Sequence, residues 1–220
     1  DSGLGNDSIA ISGGVNTLST SDGNDIINLG NGTNIVETGS GQDIISITSG
    51  TNNVTSGSDS DTINVSAGTN TLNSGDGDDN ITMSAGVNHV DSGAGDDTIT
   101  ASGGSSNVDI RSLDGGEGTD ILNIISTGNV TLPTARNIET FFISDSVHQS
   151  LDFSFSASLN SIELDSGTTI DGSIITLTLG ANQALILDSI VDGDSAAAAV
   201  SDGGIVIAQA SSLTSLDLTL

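Results

Sequence analysis

Thr38-Gly39-Ser40-Gly41-Gln42-Asp43-Ile44-Ile45-Ser46 is one of twelve nine-residue units that fill Ser2 to Asp109 when the chain is counted in nines. The sixth position of the units alternates between aspartate and asparagine, and the eighth position is aliphatic throughout. The aspartates are Asp7, Asp25, Asp43, Asp61, Asp79 and Asp97, and the intervening positions hold Asn16, Asn34, Asn52, Asn70, Asn88 and Ser106. A strict register of 18 residues predicts a stack of equivalent coils.

The coils of such a stack are predicted to bury a thin slab of aliphatic side chains. After each Asp turn two aliphatic residues alternate with polar ones, as Ile45 and Ile47 do. After each Asn turn only one inward residue is aliphatic, and its partner is small and polar. These small residues are Thr20, Thr38, Ser56, Ser74 and Ser92. Short alternating strands cannot bury a face alone, so the coils must stack.

The units resemble the nonapeptide Gly-Gly-x-Gly-x-Asp-x-aliphatic-x of the RTX family of secreted bacterial proteins. Gly39 to Ile45 and Gly93 to Ile99 match closely, and Gly115 to Asn123 matches at every fixed position. The resemblance covers a little over half of the chain. It implies a parallel β-roll in which each 18-residue coil contributes two short strands and two turns.

The aspartate file carries more negative charge than a stacked edge tolerates by itself. The chain has 29 acidic residues against two basic ones, a formal charge of -27. Equivalent residues of neighbouring coils lie about 4.8 Å apart, and two carboxylates at that distance repel by about 3.5 kcal/mol at an effective dielectric constant of about 20. A cation between successive turns reverses this repulsion. Oxygen ligands without Cys or His favour Ca²⁺.

The RTX resemblance also implies which atoms bind calcium: the aspartate carboxylate and the carbonyls of the residues two and four positions before it. Carried over, the ligand residues are Gly3, Gly5 and Asp7; Ser21, Gly23 and Asp25; Gly39, Gly41 and Asp43; Gly57, Asp59 and Asp61; Gly75, Gly77 and Asp79; Gly93, Gly95 and Asp97; and Gly116, Gly118 and Asp120. Ser21 and Asp59 stand where the family has glycine. We expect about five or six Ca²⁺ ions in one file that ends at Asp120.

The asparagine positions depart consistently from the family pattern. A neutral amide has no charge to balance and can form hydrogen bonds to its copies in the coils above and below, as in stacked asparagine ladders. We therefore expect this edge, which begins with Asn16, to bind no metal. A five-residue insertion, placed at Ile110 to Asp114 by the nine-residue count, interrupts the repeat before Asp120 returns to the Asp edge.

From about Ile121 the nonapeptide stops and glycine becomes rarer. A weaker repeat links Ile138 to Ile143, Leu159 to Leu164 and Leu213 to Leu218, which favours longer and irregular coils. The whole chain is predicted to be all-β: an RTX calcium-binding parallel β-roll over residues 1–123, then an irregular β-solenoid or sandwich-like β-rich assembly domain over residues 124–220. The sequence reads as a piece of a longer chain.

The nonapeptide array, followed by the strand Asn137 to Thr140, resembles bacterial surface-layer proteins exported by type I secretion. The resemblance implies a secreted, cell-surface structural segment whose folding and lattice assembly depend on calcium. The expected partners are copies of the same chain in a two-dimensional array or fibre, with cell-surface polysaccharide as a further candidate.

Other classes of function have less support. The acidic composition excludes the basic footprint of a nucleic-acid-binding protein, and no apolar run is long enough for a transmembrane helix. Without Cys or Tyr, and with only His89 and His148, we expect no enzyme. The alternatives are an RTX adhesin, an ice-binding segment or the non-catalytic RTX module of a secreted enzyme. Ice binding would use a file along the Asn edge: Val15, Thr33, Thr51, Thr69, Val87 and Ser105.

Overall fold

The computed structural model describes residues 1–104, 106–125, 130–131 and 135–143, and further on the strands at 150–152, 161–164, 175–178, 186–187, 199–200, 205–207 and 216–219. All regular structure in these residues is β. The predicted all-β parallel roll is confirmed: about seven coils stack with a spacing of 18 residues over most of the roll.

The first sheet contains the strands that follow the Asp turns. They are β1 (Ser8–Ile11), β3 (Ile26–Leu29), β5 (Ile44–Ile47), β7 (Thr62–Val65), β9 (Asn80–Met83), β11 (Thr98–Ala101), β13 (Ile121–Ile124), β16 (Thr140–Ile143) and β18 (Ser161–Leu164), and they lie side by side in that order. Every pair is parallel, with Ile27 opposite Ile45 and Ile45 opposite Ile63.

The second sheet contains the strands that follow the Asn turns. They are β2 (Val15–Ser19), β4 (Thr33–Ser40), β6 (Thr51–Ser58), β8 (Thr69–Asp76), β10 (Gly86–Ala94), β12 (Val108–Asp114) and β14 (Val130–Thr131), and β15 (Ala135–Arg136) also pairs with β12. Because the chain passes alternately through the two sheets, every Asp turn lies on one edge of the roll and every Asn turn on the other.

The core between the sheets is aliphatic. It includes Ile27, Ile45, Ile63, Ile81 and Ile99 from the first sheet, all fully buried. The strands β4, β6 and β8 of the second sheet contribute one aliphatic residue each: Val36, Val54 and Leu72. The small polar partners predicted from the sequence are buried beside them: Thr20, Thr38, Ser56, Ser74 and Ser92.

The insertion lies elsewhere than the nine-residue count placed it. The pairing offset is 18 residues between Asn70 and Asn88, but 22 between Gly86 and Val108 and 23 between Val90 and Leu113. Most of the extra chain therefore precedes β12, and a bulge inside β12 adds the last residue. The nine-residue count was wrong to place Ser106 and Val108 at the sixth and eighth positions of a unit. Leu113, which is also buried, pairs with Val90 and supplies the periodic aliphatic side chain.

Strands continue in the described parts of the second half of the chain. Thr140 pairs with Ser161, which confirms the offset of 21 residues between the first two hexapeptides of the weak repeat. The third hexapeptide contributes to another sheet, in which β17 (Ser150–Asp152), β19 (Ile175–Thr178) and β23 (Leu216–Thr219) are parallel. A last small sheet contains β20 (Ile186–Leu187), β21 (Ala199–Val200) and β22 (Ile205–Ile207). The domain division at residue 123 stays a prediction.

Candidate metal centre

Each turn on the Asp edge has two residues with a left-handed backbone, four and two positions before the aspartate. In the turn before Asp43 these are Gly39, with φ of 108°, and Gly41, with φ of 119°. Ser21 and Asp59 adopt the same region, with φ of 72° and 77°, so both departures from glycine keep the turn geometry. A non-glycine residue in this region carries a steric cost.

Successive turns pack backbone against backbone. A Cβ at Gly57 would overlap the carbonyl oxygen of Gly39 in the coil before it. Glycine is thus required at this position for close approach as well as for its φ of 116°. The packing places the backbone of each turn against the carbonyl oxygens of the neighbouring turn.

The aspartates form a continuous hydrogen-bonded file along this edge. The backbone N–H of Asp43 donates to Oδ1 of Asp61 at 2.8 Å, and the N–H of Asp61 donates to Oδ1 of Asp79 at 2.7 Å. The same bond joins every successive pair from Asp7 to Asp120 at 2.7–2.9 Å. Asp25, Asp43, Asp61, Asp79, Asp97 and Asp120 are at most 2% exposed.

The second carboxylate oxygen of each aspartate has no hydrogen-bond partner. Oδ2 is buried and unpartnered in Asp7, Asp25, Asp43, Asp61, Asp79, Asp97 and Asp120. The hydroxyls of Thr38 and Ser56 donate to the carbonyls of Ser56 and Ser74 at 2.8 and 2.9 Å, and their closeness to the carboxyls of Asp43 and Asp61 lowers the pKa of those carboxyls only in part. A buried carboxylate oxygen without a partner is costly, and here the cost recurs in every coil.

Burial also changes the acidity of the file. Desolvation raises the pKa of Asp61 and of Asp97 to about 7 and that of Asp120 to about 6. It raises the pKa of Asp43 and Asp79 as well. Backbone N–H donors from the preceding aspartates oppose this rise in part. The raised pKa values mean that the protein alone supplies too little stabilisation for the charged form of these buried carboxylates.

A second set of hydrogen bonds, which the sequence did not reveal, joins the residues before the aspartates in two stretches, from Asn6 to Gln42 and from Asp78 to Thr119. The N–H of Asn24 donates to Oδ1 of Asn6 at 2.9 Å, and that of Gln42 to Oδ1 of Asn24 at 3.0 Å. The N–H of Asp96 likewise donates to Oδ1 of Asp78 at 2.9 Å. Polar side chains at these positions therefore fix the spacing of the turns.

The Asn file on the opposite edge is saturated with hydrogen bonds. Nδ2 of Asn34 donates to Oδ1 of Asn52 at 2.7 Å, and Asn52 donates in turn to Asn70 at 2.8 Å. The other Nδ2 hydrogen of Asn52 points to the carbonyl of Ser49 at 3.2 Å. The predicted asparagine ladder is confirmed from Asn16 to Asn88. It ends where the buried Ile110 lies opposite Asn88.

The donor set of the Asp edge fits calcium. No three His, Cys, Asp or Glu side chains converge within the described ranges, so side chains alone cannot complete a coordination shell. One unpartnered carboxylate oxygen per coil together with the carbonyls of two packed glycine turns gives the many oxygen donors, few of them charged, that Ca²⁺ takes. The sequence-predicted ligand residues of all seven turns lie in this single file.

Comparison with models of protein families matches residues 11–45, 47–81 and 84–106 to the RTX calcium-binding nonapeptide repeat, a model of four copies. The chain carries an RTX β-roll. Searches of curated proteins and of solved structures gave no match. RTX repeats are calcium-binding structural modules that are typical of secreted proteins.

Nothing in the described part of the RTX roll points to catalysis. His89 is exposed on the outer face of β10, and its Nδ1 lies 3.0 Å from the hydroxyl of Ser112. His148 lies outside the described residues. The two arginines form ion pairs with Asp109 and Asp114. Among the residues described, no helix has the length and apolar character needed to cross a membrane.

Proposed function

We propose that this chain is a calcium-stabilised structural segment of a secreted bacterial surface-layer protein, in which Ca²⁺ drives folding and assembly. The observation that carries the calcium requirement is the file of buried, unpartnered Oδ2 atoms from Asp7 to Asp120. One ion between each pair of successive Asp turns would give about six ions. Each would bind a carboxylate and the carbonyls two and four residues before it.

Charge supports the same proposal. The formal charge of -27 is carried by 29 acidic groups with two arginines to oppose them, and no disulfide holds the coils together. A file of divalent ions neutralises the edge and cross-links consecutive coils. Secretion as an unfolded chain into calcium-rich surroundings would make the metal the trigger for folding, because ligands that are assembled only in the folded state couple metal binding to folding.

Regular outer faces support an assembly role. The two sheets present long, parallel, repeating surfaces, and Ile26 and Ile44 are neighbours on the outside of the first sheet, each 44% exposed. Ile35 is similarly exposed on the second sheet. Apolar side chains on a flat surface favour contact with other copies of the chain, and the expected partners are such copies, with cell-surface polysaccharide as a further candidate.

Calcium removal tests the first part of the proposal. In calcium-free buffer we expect the β-sheet circular dichroism signal to be lost, since the carboxylate repulsion returns and the thin aliphatic core cannot offset the chain entropy. Adding calcium should restore the signal cooperatively. Unchanged ellipticity and an unchanged melting temperature without calcium would contradict the metal requirement.

Electron microscopy tests the second part. Two-dimensional arrays or fibres that form from the purified chain only when calcium is present would support the surface-layer role. Calcium-dependent folding to a monomer that never assembles would leave the RTX roll intact as a module and contradict the structural-lattice function.

Ice binding is the second candidate, because Thr33, Thr51 and Thr69 are exposed and lie directly opposite one another on β4, β6 and β8. The file is interrupted at its start by Val15, which is 86% exposed. Thermal hysteresis of the calcium-loaded chain would favour this candidate, and its absence together with array formation would favour the surface-layer role.

A further inference from the structure

The acidic file extends one residue beyond the nonapeptide repeats. Glu139 immediately precedes β16, just as Asp97 and Asp120 immediately precede β11 and β13. The backbone N–H of Asp120 donates to Oε2 of Glu139 at 2.7 Å, and that of Asp97 donates to Oδ1 of Asp120 at 2.9 Å. Glu139 therefore occupies the position of the next aspartate, although it lies outside every RTX unit.

The turn that carries Glu139 is shorter than the one before it. Asp114 pairs with Arg136 and Ile121 pairs with Thr140, so residues 137–139 close this turn where residues 115–120 close the preceding one. The N–H groups of Glu139 and Thr140 both lie 3.1 Å from the carbonyl of Asp120. From this shorter turn the longer side chain of glutamate reaches the backbone N–H of Asp120.

Two further oxygens face the space between these turns. Oδ2 of the fully buried Asp120 has no hydrogen-bond partner. A Cβ on Gly115 would lie 2.6 Å from this oxygen and would also overlap the carbonyl oxygen of Asn137, so both oxygens border one small space. Asn137 has φ of 53°, and its side-chain amide donates to Oδ1 of Asp114 at 2.7 Å, which holds the turn in place.

Arg136, which precedes Asn137 in the chain, forms its ion pair with a different carboxylate. Arg136 is largely exposed, and its guanidinium lies 3.1 Å from Oδ2 of Asp114. The Glu139 carboxylate accepts the backbone N–H of Asp120, whose own Oδ2 has no hydrogen-bond partner. Two partly or fully buried carboxylates with a carbonyl beside them are a donor set for a divalent cation.

We propose that a Ca²⁺ ion binds between the Asp120 and Glu139 turns and that Glu139 is the last carboxylate ligand of the calcium file. Oδ2 of Asp120, the carbonyl of Asn137 and the Glu139 carboxylate are its protein ligands. The calcium file therefore ends one coil later than the nonapeptide pattern indicates. This inference rests on the proposed calcium binding of the RTX roll.

Counting bound calcium tests the assignment. Native mass spectrometry or equilibrium dialysis with elemental analysis, on the full chain at saturating calcium, gives the number of ions per folded molecule. Glu139→Gln keeps an oxygen that can accept the Asp120 N–H but removes the charge, so we expect it to bind one ion fewer than the parent. Glu117→Gln is the matched control, since the Glu117 side chain is exposed and is not one of the expected ligands, and it should bind the full number.

An equal count in Glu139→Gln and the parent would overturn the inference and make Glu139 a hydrogen-bonding cap only. A parent chain that binds no calcium would instead refute the proposed function, and the two failures are distinguishable. If Glu139→Gln does not fold, crystals of the parent grown with calcium decide the question by anomalous scattering. A peak between Asp120 and Glu139 would support the site, and peaks only between the earlier turns would overturn it.

Discussion

A single oxygen atom distinguishes the two edges of the roll. Asn52 and Asp61 have side chains of nearly identical shape. Nδ2 of Asn52 donates to Oδ1 of Asn70, whereas Oδ1 of Asp61 accepts the backbone N–H of Asp43. The amide of Asn52 has a partner for Nδ2 and Oδ1, whereas Oδ2 of Asp61 has none. The choice between amide and carboxylate therefore decides whether an edge is complete by itself or requires a cation.

Replacing Asp61 by asparagine tests this contrast. Oδ1 of the new amide can still accept the Asp43 N–H, so the fold should persist while the charge that binds calcium is lost. We expect the apparent calcium affinity, measured by isothermal titration calorimetry, to fall at least about tenfold, which corresponds to about 1.4 kcal/mol. Because the Asp61 turn lies between two expected calcium ions, the affinity of both of these sites should fall.

Asp59→Gly is the matched control, because it removes one charge from the same turn but restores the glycine that a φ of 77° favours. It should keep the calcium affinity and raise the calcium-loaded stability by about 0.5–1 kcal/mol. Equal losses of affinity in the two variants would indicate that only the overall charge matters and not the position of the ligand.

At the scale of the element, the strands and the Asp file could be predicted from the sequence because a period of 18 residues fixes which side chains stack. The hydrogen bonds from the hydroxyls of Thr38 and Ser56 to carbonyls of the next coil could not be predicted. The sequence pattern is the same whether these residues are needed for their small size or for their hydroxyl group. The register after Asn88 was wrong because Val108 and Leu113 are equally suitable core residues. Glu139 was missed because its turn is shorter than the repeat.

The asparagine ladder makes a prediction about β6. Asn52→Asp would replace the Nδ2 donor to Asn70 by a second acceptor, and it would bury a charge that has no cation beside it. We expect a loss of about 2–4 kcal/mol in the free energy of unfolding, measured by urea titration with calcium present. Asn53→Asp makes the same chemical change at the next, exposed position and should cost less than about 0.5 kcal/mol. Similar losses at both positions would contradict the ladder's contribution.

At the scale of the whole molecule, the file of buried carboxylates makes stability depend on pH in opposite directions with and without calcium. Burial raises the pKa of Asp61 and Asp97 to about 7 and of Asp120 to about 6, above the value of 3.8 for an unperturbed aspartate. Between these values the calcium-free folded state binds more protons than the unfolded state. Its stability is thus greatest at low pH and falls as the pH rises through about 6 to 7.

Calcium reverses this dependence because it binds the ionised carboxylates and competes with the protons. In calcium-free buffer the β-sheet signal that is lost at about pH 8 should therefore return as the pH is lowered to about 5, whereas the calcium-loaded protein should lose stability over the same range. The ellipticity in calcium-free buffer and thermal melts with calcium, both recorded by circular dichroism at several pH values, measure the two slopes against pH. Asp61→Asn should flatten both slopes, because it removes one of the groups that titrates. The same dependence on pH in the two buffers would show that protons and calcium do not compete for the buried aspartates. It would mean that these aspartates are not the calcium ligands.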